Sequence, residues 1–458
     1  MGVESKIHNK GEALNMYSIN DTVLESNKYV KVNFEGGDLS SDAGLLLLKE
    51  FISKMKFDQL LSQSFQTNDA AGFRYHTDDD NLLQVIYQIF SAYFTDDCAD
   101  ELTNEPVFTT ILGKPALASQ PTLSRFYNRM DIDTLDQFDE IARAMRGRAY
   151  SQKRPEMVLM DLDSTLLETY GKQEGEAFNY HYQAHGYHPL ACYDSLTGDL
   201  LRIQLRKGTD YCSNGAAEFM QPLFDEYLSM YAHIKMFLRG DSGFASPDLY
   251  EQCETNGASY AIRLKENSAL RALAAEYAAE LADATRDNMV DYAVVYGEFE
   301  YKAGSWAYPR RVVCKIEKPT DQIIHMNTFI VTNMELDPER LIMFYCNRGH
   351  MENYFKEGKN GFDFGAVSSR SEVVNANRLQ VHALAYNIFN LFRRLVLPKE
   401  MRKNLIDTIR LKLIKIAARV VRSARYKTFK LCSSCPYKDA FYKTLENIRR
   451  LRPFPQLV

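Results

Sequence analysis

The sequence has little of what marks secreted, membrane-bound or disulfide-stabilised proteins. No apolar run approaches the roughly 20 residues that a transmembrane helix needs, and the first fifteen residues have no apolar core, so we expect neither a membrane span nor a signal peptide. Only 8 of the 458 residues are cysteines, and most are isolated inside apolar runs. That usage excludes a disulfide framework and favours a reducing compartment, so we expect a cytoplasmic protein.

The formal net charge is small, at −5, but it is unevenly distributed along the chain. From Arg402 to the end, fifteen lysines and arginines accompany three acidic residues, a formal charge of +12. A basic, periodic segment of this kind favours a polyanionic partner. A solvated helical face is the alternative interpretation.

Hydrophobic patterning predicts a helical first third. Residues 1–150 carry helical periodicity with polar caps, so we expect a mostly helical N-terminal DNA-binding domain. Within it, Leu117–Met130 places Arg125 and Arg129 on a polar face. This segment is either the DNA-reading helix of a helix-turn-helix or a structural surface helix.

After residue 150, apolar runs of strand length alternate with helical patterns. Three strands in quick succession begin at Met157, and a helix, a strand, a helix and a strand follow up to Leu264. That order is typical of a ribonuclease H-like α/β sheet. The expected parts are a ribonuclease H-like catalytic core at 151–265 and 335–398, a β-rich insertion at 266–334, and a basic helical C-terminal region at 399–458.

Two aspartates end strands that this order makes neighbours. Asp163 ends the first strand and Asp241 the fourth, so the carboxyl ends of the strands bring the two acids together. Because side chains alternate along a strand, Asp161 faces the same side as Asp163, one step deeper. The Asp-Leu-Asp pair thus offers two candidates, and a supporting role for Asp161 is the alternative to a catalytic one.

A fifteen-residue stretch supplies a third acid among cations. Read as one helix, Tyr345, Arg348, Glu352 and Lys359 share a stripe only about 60° wide. A carboxylate among cations suits a site that holds a divalent metal against a phosphodiester, although a solvated face with an Arg–Glu pair would look the same. Three converging carboxylates would repel one another, which predicts two bound Mg²⁺ or Mn²⁺ ions per site.

These residues resemble the signature of a known family. Tyr345-x2-Arg348-x3-Glu352-x6-Lys359 is similar to the Tyr-Arg-Glu-Lys signature of insertion-sequence DDE transposases. Asp163-Ser-Thr resembles the first-aspartate motif of that family, and Asp241-Ser-Gly-Phe resembles the second. The segments DLDSTLLETYGKQEG, HGYHPL, RGDSGF and RVVRSAR are similar to the IS-thirteen-eighty family, and the resemblance spans roughly residues 30–450.

The resemblance implies a prokaryotic DNA transposase that cuts the ends of its element and joins them to target DNA. It implies metal binding by the three acids, and phosphate contacts by Tyr345, Arg348 and Lys359 near the cleaved strand. The implied partners are the double-stranded DNA of the element ends and of the target, held by a homodimer on the nucleoid. A catalytically inactive or domesticated DNA-binding descendant remains an alternative, as does a hydrolase acting on another substrate.

The single tryptophan, Trp306, lies in the expected insertion. Related transposases place an aromatic side chain of this insertion against a flipped base, and the resemblance implies that role for Trp306. A hydrophobic anchor between strands is the alternative.

Overall fold

The computed structural model describes residues 21–286, 292–320, 322 and 324–454. The N-terminal residues on which the expected absence of a signal peptide depends lie outside these ranges. Within them, no helix is both long and apolar enough to cross a membrane.

Helices dominate both ends of the chain, and most strands lie in its middle. The N-terminal part contains β1 (Thr22–Leu24), β2 (Asn27–Val32), β3 (Leu39–Ser40), α1 (Leu45–Lys54), α2 (Phe57–Ser64), α3 (Asp78–Phe90), α4 (Cys98–Glu101), α5 (Pro106–Leu112), α6 (Gln120–Asn128) and α7 (Ile132–Gln152). The central part contains β4 (Met157–Ser164), β5 (Leu167–Glu168), β6 (Ala177–Asn179), β7 (Ala184–Tyr187), β8 (Leu190–Asp194), β9 (Leu200–Gln204), α8 (Ala216–Met230), β10 (Lys235–Gly240), α9 (Pro247–Thr255), β11 (Ser259–Leu264), α10 (Ser268–Leu273), α11 (Ala275–Ala284), β12 (Ala293–Tyr301), β13 (Arg310–Lys318) and β14 (Met326–Thr332). The C-terminal part contains α12 (Pro338–Cys346), α13 (His350–Phe362), α14 (Glu372–Val396), α15 (Ile406–Ile409), β15 (Ala418–Ser423), β16 (Tyr426–Leu431) and α16 (Lys438–Arg450).

An eight-stranded mixed sheet forms the centre of the molecule. Its strand order is β12-β13-β14-β11-β10-β4-β8-β9. Strands β4, β10 and β11 run parallel to one another, whereas β8 and β9 on one side and β14, β13 and β12 on the other pair antiparallel. The mixed α/β class is therefore confirmed, and the strands expected from the alternating pattern are present.

Alternation along the strands gives the sheet two covered faces. On β4, Val158, Met160 and Leu162 point into a core that also includes residues of α8 and α9. The opposite face is covered by α13 and α14 beside β8 and β9, and by α12 beside β11 and β13. Asp161 and Asp163 lie on this second face, because they alternate with the three apolar residues.

The N-terminal helices do not form a core of their own. Residues of α1 to α7 share one hydrophobic core with α13, α14 and α16. Polar contacts reinforce this union: Arg378 of α14 pairs with Asp96 at 2.6 Å, and Asn377 accepts a hydrogen bond from Thr134. The region expected as a separate domain, 1–150, is thus one half of a helical body that α13 to α16 complete.

The β-rich insertion expected at 266–334 is continuous with the main sheet. Strand β14 pairs with β11 from Ala261 to Leu264, and β13 and β12 follow outward from it. The expected strands exist, but they extend the central sheet.

The C-terminal region is only partly helical, which corrects the expectation for 399–458. Residues 418–431 form an antiparallel hairpin, β15–β16, that also pairs with β3. The β-branched residues Val420, Val421 and Thr428 favour strands over helices, and edge pairing with Leu39 and Ser40 adds backbone hydrogen bonds that a helix would not make.

A buried ion pair connects the two central strands. Arg239 of β10 lies opposite Asp161 of β4, and both carboxylate oxygens accept from its guanidinium at 2.7 Å. Both side chains are at most 1% exposed. The same guanidinium donates to the Oγ of Ser195, after β8, and to the carbonyl of Phe344 in α12. One side chain thereby fixes a strand, a turn and a helix relative to β4.

Breaking this pair should destabilise the fold strongly. Asp161→Asn leaves the guanidinium buried without its counter-charge, and we expect the free energy of unfolding to fall by about 3–5 kcal/mol in urea denaturation. The control is Arg340→Gln, which breaks an exposed pair with Asp337 and should change stability by less than about 0.5 kcal/mol. A loss below about 1 kcal/mol for Asp161→Asn would contradict the structural role.

Candidate active site

Strand register brings two of the three expected acids together. Continuing the pairing of Arg239 with Asp161 and of Gly240 with Leu162 by one position sets Asp241 opposite Asp163. Asp241 begins a short 3-10 turn, 242–244, where its Oδ1 accepts from the backbone N–H of Gly243 at 2.8 Å. The two carboxylates thus emerge on one face, at the carboxyl ends of adjacent parallel strands.

Asp163 lies in an environment that opposes its ionisation. Burial raises the pKa of its carboxyl to about 6, Arg348 opposes that rise, and the negative charges of Asp241 and Glu352 add to it. Its Oδ1 accepts from the N–H of Ser164 at 2.9 Å. Arg348 balances only part of the charge of Asp163, and a second carboxylate lies beside it. Such a place is favourable for a cation.

Arg348 supplies the positive charge beside Asp163. Its Nη2 lies 3.1 Å from Oδ2 of Asp163 and 3.2 Å from the carbonyl of Leu162. Its Nε is buried and has no hydrogen-bond partner in the described part of the chain. The Nε–H of this guanidinium, near the acid pair, is therefore a hydrogen-bond donor without an acceptor among the described residues.

The phenol of Tyr345 belongs to the same neighbourhood. Burial raises its pKa, the positive charges of Arg348 and Arg263 oppose the rise, and Asp241 adds to it. Lys359 is more distant: its Nζ donates to the carbonyl of Leu166 at 2.7 Å, and burial lowers its pKa.

Glu352 is not brought to the acid pair. The stretch expected as one helix is broken: α12 ends at Cys346, a 3-10 turn spans Asn347–Gly349, and α13 starts anew. Glu352, in the first turn of α13, has a side chain that is 67% exposed, and its Oε2 lies 3.9 Å from Nζ of Lys356. Within the ranges described, no group of three or more acidic, histidine or cysteine side chains is close enough to hold a metal ion.

Two further residues next to the acids give no signal in the sequence. Tyr182, between β6 and β7, has its Oη 3.4 Å from the carbonyl of Ser164; burial, and then the charges of Asp163, Cys212 and Asp241, raise its pKa to about 12. Cys212 accepts from Ser164 Oγ at 3.2 Å. Both reach the site from loops, so no periodic pattern predicts their position.

The glycine of the second aspartate motif is required sterically. A Cβ on Gly243 would lie 2.9 Å from the Cβ of Cys212 and 3.0 Å from Oδ1 of Asp241. Only a glycine lets the 3-10 turn close against the Cys212 loop, which holds Asp241 in place.

The two arginines expected to read DNA from α6 differ in environment. Arg125 is exposed, with its Nη2 3.5 Å from Oγ1 of Thr122. Arg129 instead pairs with Asp78 at 2.9 Å and with Asp69 at 3.3 Å, which ties α6 to neighbouring segments. The charge of Arg129 is therefore balanced within the chain, and its contact with DNA stays a prediction.

Trp306 is a hydrophobic anchor between strands. Its side chain is buried at 6% exposure, with ring centroids 5.4 Å from Tyr250 and 5.3 Å from Tyr301. The guanidinium of Arg310 lies 5.6 Å from its ring. A ring enclosed in this way matches the hydrophobic-anchor alternative, and base stacking by Trp306 stays a prediction.

The carboxylate oxygens of the acid pair fit a hard divalent cation as ligands. Carboxylate oxygens are the ligands that Mg²⁺ and Mn²⁺ prefer, and Asp163 and Asp241 present them side by side. Burial is the main cause of the raised pKa of Asp163, and the nearby negative charges of Asp241 and Glu352 add to it, which a bound cation would offset. A third carboxylate, Glu352, stands in the first turn of α13, outside this pair.

Comparison with known proteins gives one family match. The family described as transposase DDE domain group 1 matches residues 23–453. No curated protein sequence matches the chain. Among solved structures, it is similar to the piggyBac transposase synaptic complex with hairpin DNA, at 13% sequence identity over 82% of this chain and 80% of that one. The TM-score of 0.42 is too low to establish a common fold.

The pKa of Asp163 predicts a pH dependence of stability. Because its pKa is raised from 3.8 to about 6 in the folded chain, the folded state holds a proton that the unfolded state has lost between about pH 4 and pH 6. Stability therefore falls as pH rises through this window. Asp163→Asn lacks that loss, so its stability relative to the wild type should rise by about 2–3 kcal/mol from pH 4 to pH 7.

The measurement is urea denaturation in metal-free buffer at a series of pH values. Asp283→Asn is the control, because Asp283 is an exposed residue of α11. Parallel profiles for wild type and Asp163→Asn would contradict the assignment.

Proposed function

Since the chain belongs to the transposase DDE domain group 1 family, which implies a DNA-transposing enzyme that depends on a divalent metal, we propose that it binds the ends of an insertion sequence, cleaves them and joins them to target DNA. The match covers nearly the whole chain, so it applies to the α/β sheet and the helical body together. Within this proposal the element is of the IS-thirteen-eighty type, and the order β9-β8-β4-β10-β11 supports a ribonuclease H-like core.

The observation that carries the proposal is the paired aspartates with a spare cationic donor beside them. Asp163 and Asp241 are adjacent across a parallel strand pair, and the Nε of Arg348 is buried there without a partner in the described ranges. Carboxylates that can bind a metal, together with a guanidinium that can bind a phosphate oxygen, suit phosphodiester cleavage. A glycosidase would need the carboxylates but not the guanidinium.

The residues divide into two roles. Asp163, Asp241 and Glu352 would hold Mg²⁺ or Mn²⁺, two ions per site, which when bound activate a water or a 3′-hydroxyl and stabilise the leaving oxygen. Arg348 donates to a non-bridging phosphate oxygen through Nε while Nη2 keeps its contact with Asp163. Tyr345 contacts a neighbouring phosphate from a half-buried position beside the acids, and Lys359, which is half-buried and more distant, contacts a phosphate further along the strand.

Glu352 needs a local rearrangement to join the other two acids. It lies in the first turn of α13, directly after the 3-10 turn that ends at Gly349. The side chain of Glu352 is free to change direction, because its only ion pair among the described residues is the exposed contact with Lys356. The neighbouring Met351 is buried in the core, so the rearrangement must keep that side chain in place.

Two element ends must be held together for joining, so the proposal includes a homodimer on double-stranded DNA. It also includes a prokaryotic cytoplasm, with the enzyme on the nucleoid. Arg125, exposed on α6, remains a candidate contact to the element ends.

The first test is cleavage of a supercoiled plasmid that carries the element ends. Wild-type protein should cut at the ends with Mg²⁺ and not with EDTA, and Asp241→Asn should lose cutting by at least about 10³-fold, since it removes a metal ligand. Asp283→Asn, an exposed aspartate of α11, is the matched control and should cut like wild type.

Three outcomes separate the possible functions. Tight end binding without any cutting by the wild type would favour an inactive or domesticated DNA-binding descendant. Cutting that Asp241→Asn retains would remove this acid from the mechanism. Absence of DNA binding at low salt would contradict the proposal as a whole.

A second test isolates Glu352. Glu352→Gln should abolish cleavage and leave end binding within about twofold, because the phosphate contacts come from other residues. Lys356→Gln breaks the same exposed pair while keeping the carboxylate, so it should cut normally. Band-shift and cleavage assays on one DNA preparation measure both properties, and equal activity of the two variants would show that Glu352 is not a metal ligand.

A further inference from the structure

The β15–β16 hairpin is a basic ribbon set on the helical body. Its strands pair in register from Ala418 opposite Leu431 to Ser423 opposite Tyr426. The turn passes through Ala424 in the left-handed region, at φ 50°. Tyr426 at the tip is 76% exposed.

The charge of this segment is of one sign. Between Asp407 and Asp439 the chain has no acidic residue, while nine lysines and arginines fall in that interval. Five of them belong to the hairpin or its turn: Arg419, Arg422, Arg425, Lys427 and Lys430.

Strand register sets like charges directly opposite each other. Arg419 lies opposite Lys430, and Arg422 lies opposite Lys427. Such pairs destabilise a hairpin, because neighbouring cations on one ribbon repel. A six-residue ribbon that keeps two such pairs is stabilised by binding an anion.

The protein itself supplies almost no counter-charge. In the described ranges the one ion pair that these five side chains make is Arg422 with Asp38, at 4.0 Å between exposed groups. Lys427 donates to the hydroxyl of Thr110 at 3.4 Å, which neutralises nothing. By contrast, Arg410 and Lys415, just before the hairpin, pair with Asp407 and Asp42.

The base of the hairpin is anchored firmly. Ala418 and Val420 are buried, and Val420 donates to the carbonyl of Asp38 at 2.8 Å. Phe429 and Leu431 pack against the core of the helical body. The hairpin thus has an anchored base and a charged tip that is exposed to solvent.

We propose that the β15–β16 hairpin binds the phosphate backbone of duplex DNA without regard to sequence, as a contact surface additional to the acid pair. The identity of the partner, DNA, rests on the proposed function. The location of the contact rests on the hairpin alone. A two-stranded ribbon is narrow enough for the major groove, and its cations then meet the phosphates on both sides. Neutralised phosphates release counterions, which gives the binding a salt dependence that can be measured.

The test uses the full chain and a fluorescein-labelled 30-base-pair duplex of arbitrary sequence, in EDTA, with anisotropy read over a salt series. Arg422→Gln/Lys427→Gln should lower the slope of log K against log salt by about 2 and weaken binding roughly 10- to 100-fold at 0.1 M salt. The thermal midpoint of this variant should equal or exceed that of wild type, since a repulsive pair is removed. The control, Lys443→Gln/Arg450→Gln, removes two charges from α16 that already pair with Glu446 and should leave the slope unchanged.

Each result decides the matter. An unchanged slope and affinity for Arg422→Gln/Lys427→Gln would overturn the proposal, as would an equal loss in the α16 control. A shift from dimer to monomer with unchanged DNA affinity would assign the hairpin to a second copy of the chain instead. Because the assay contains no metal and no element ends, it reads the hairpin even if cleavage is never found.

Discussion

The buried pair between Asp161 and Arg239 is the contact on which the site depends. Two central parallel strands carry opposite charges at the same register, in a place where neither can be solvated. Any slip of the strands by one residue would bury both charges unpaired. The pair therefore sets the register that makes Asp163 and Asp241 neighbours two residues further along. Its third and fourth hydrogen bonds, to Ser195 and Phe344, extend the same constraint to the segment that leads to Arg348.

The neighbourhood of the acids is arranged by charge as much as by shape. Burial and the charge of Asp241 both oppose the ionisation of Asp163. The only cation in direct contact with Asp163 among the described residues is Arg348. That arginine is itself oriented by a backbone carbonyl and keeps a donor unused. The pair with Arg348 thus offsets part of the charge of Asp163 inside the fold, and the Nε of Arg348 stays without a partner among the described residues. Glu352, with no such restraint, remains in solvent.

Sequence patterns could predict the strands, their order and the acid pair, because each rests on a local period and on the pairing of parallel strands. They could not predict the three-residue break ahead of Glu352, which an angular projection along one helix ignores. Residue type alone singles out Arg129 and Trp306. Their surroundings, however, are set by partners distant in sequence, Asp78 and Tyr250. The hairpin at 418–431 could not be predicted from its basic composition, because such composition is typical of helices and of β-ribbons alike.

The helical body has its two halves at opposite ends of the chain. About 220 residues separate the end of α7 from the start of α14, yet these helices share one core. At ribosomal rates of about 5–20 residues per second, the N-terminal helices wait roughly 10 to 45 s for their partners. During that time Phe51 and Phe90 lack Phe392 and Phe389 of α14, which later pack against them, so chaperone binding to the nascent chain is to be expected. The sheet with its acids, emerging in between, is held in its final setting only after α14 has been made.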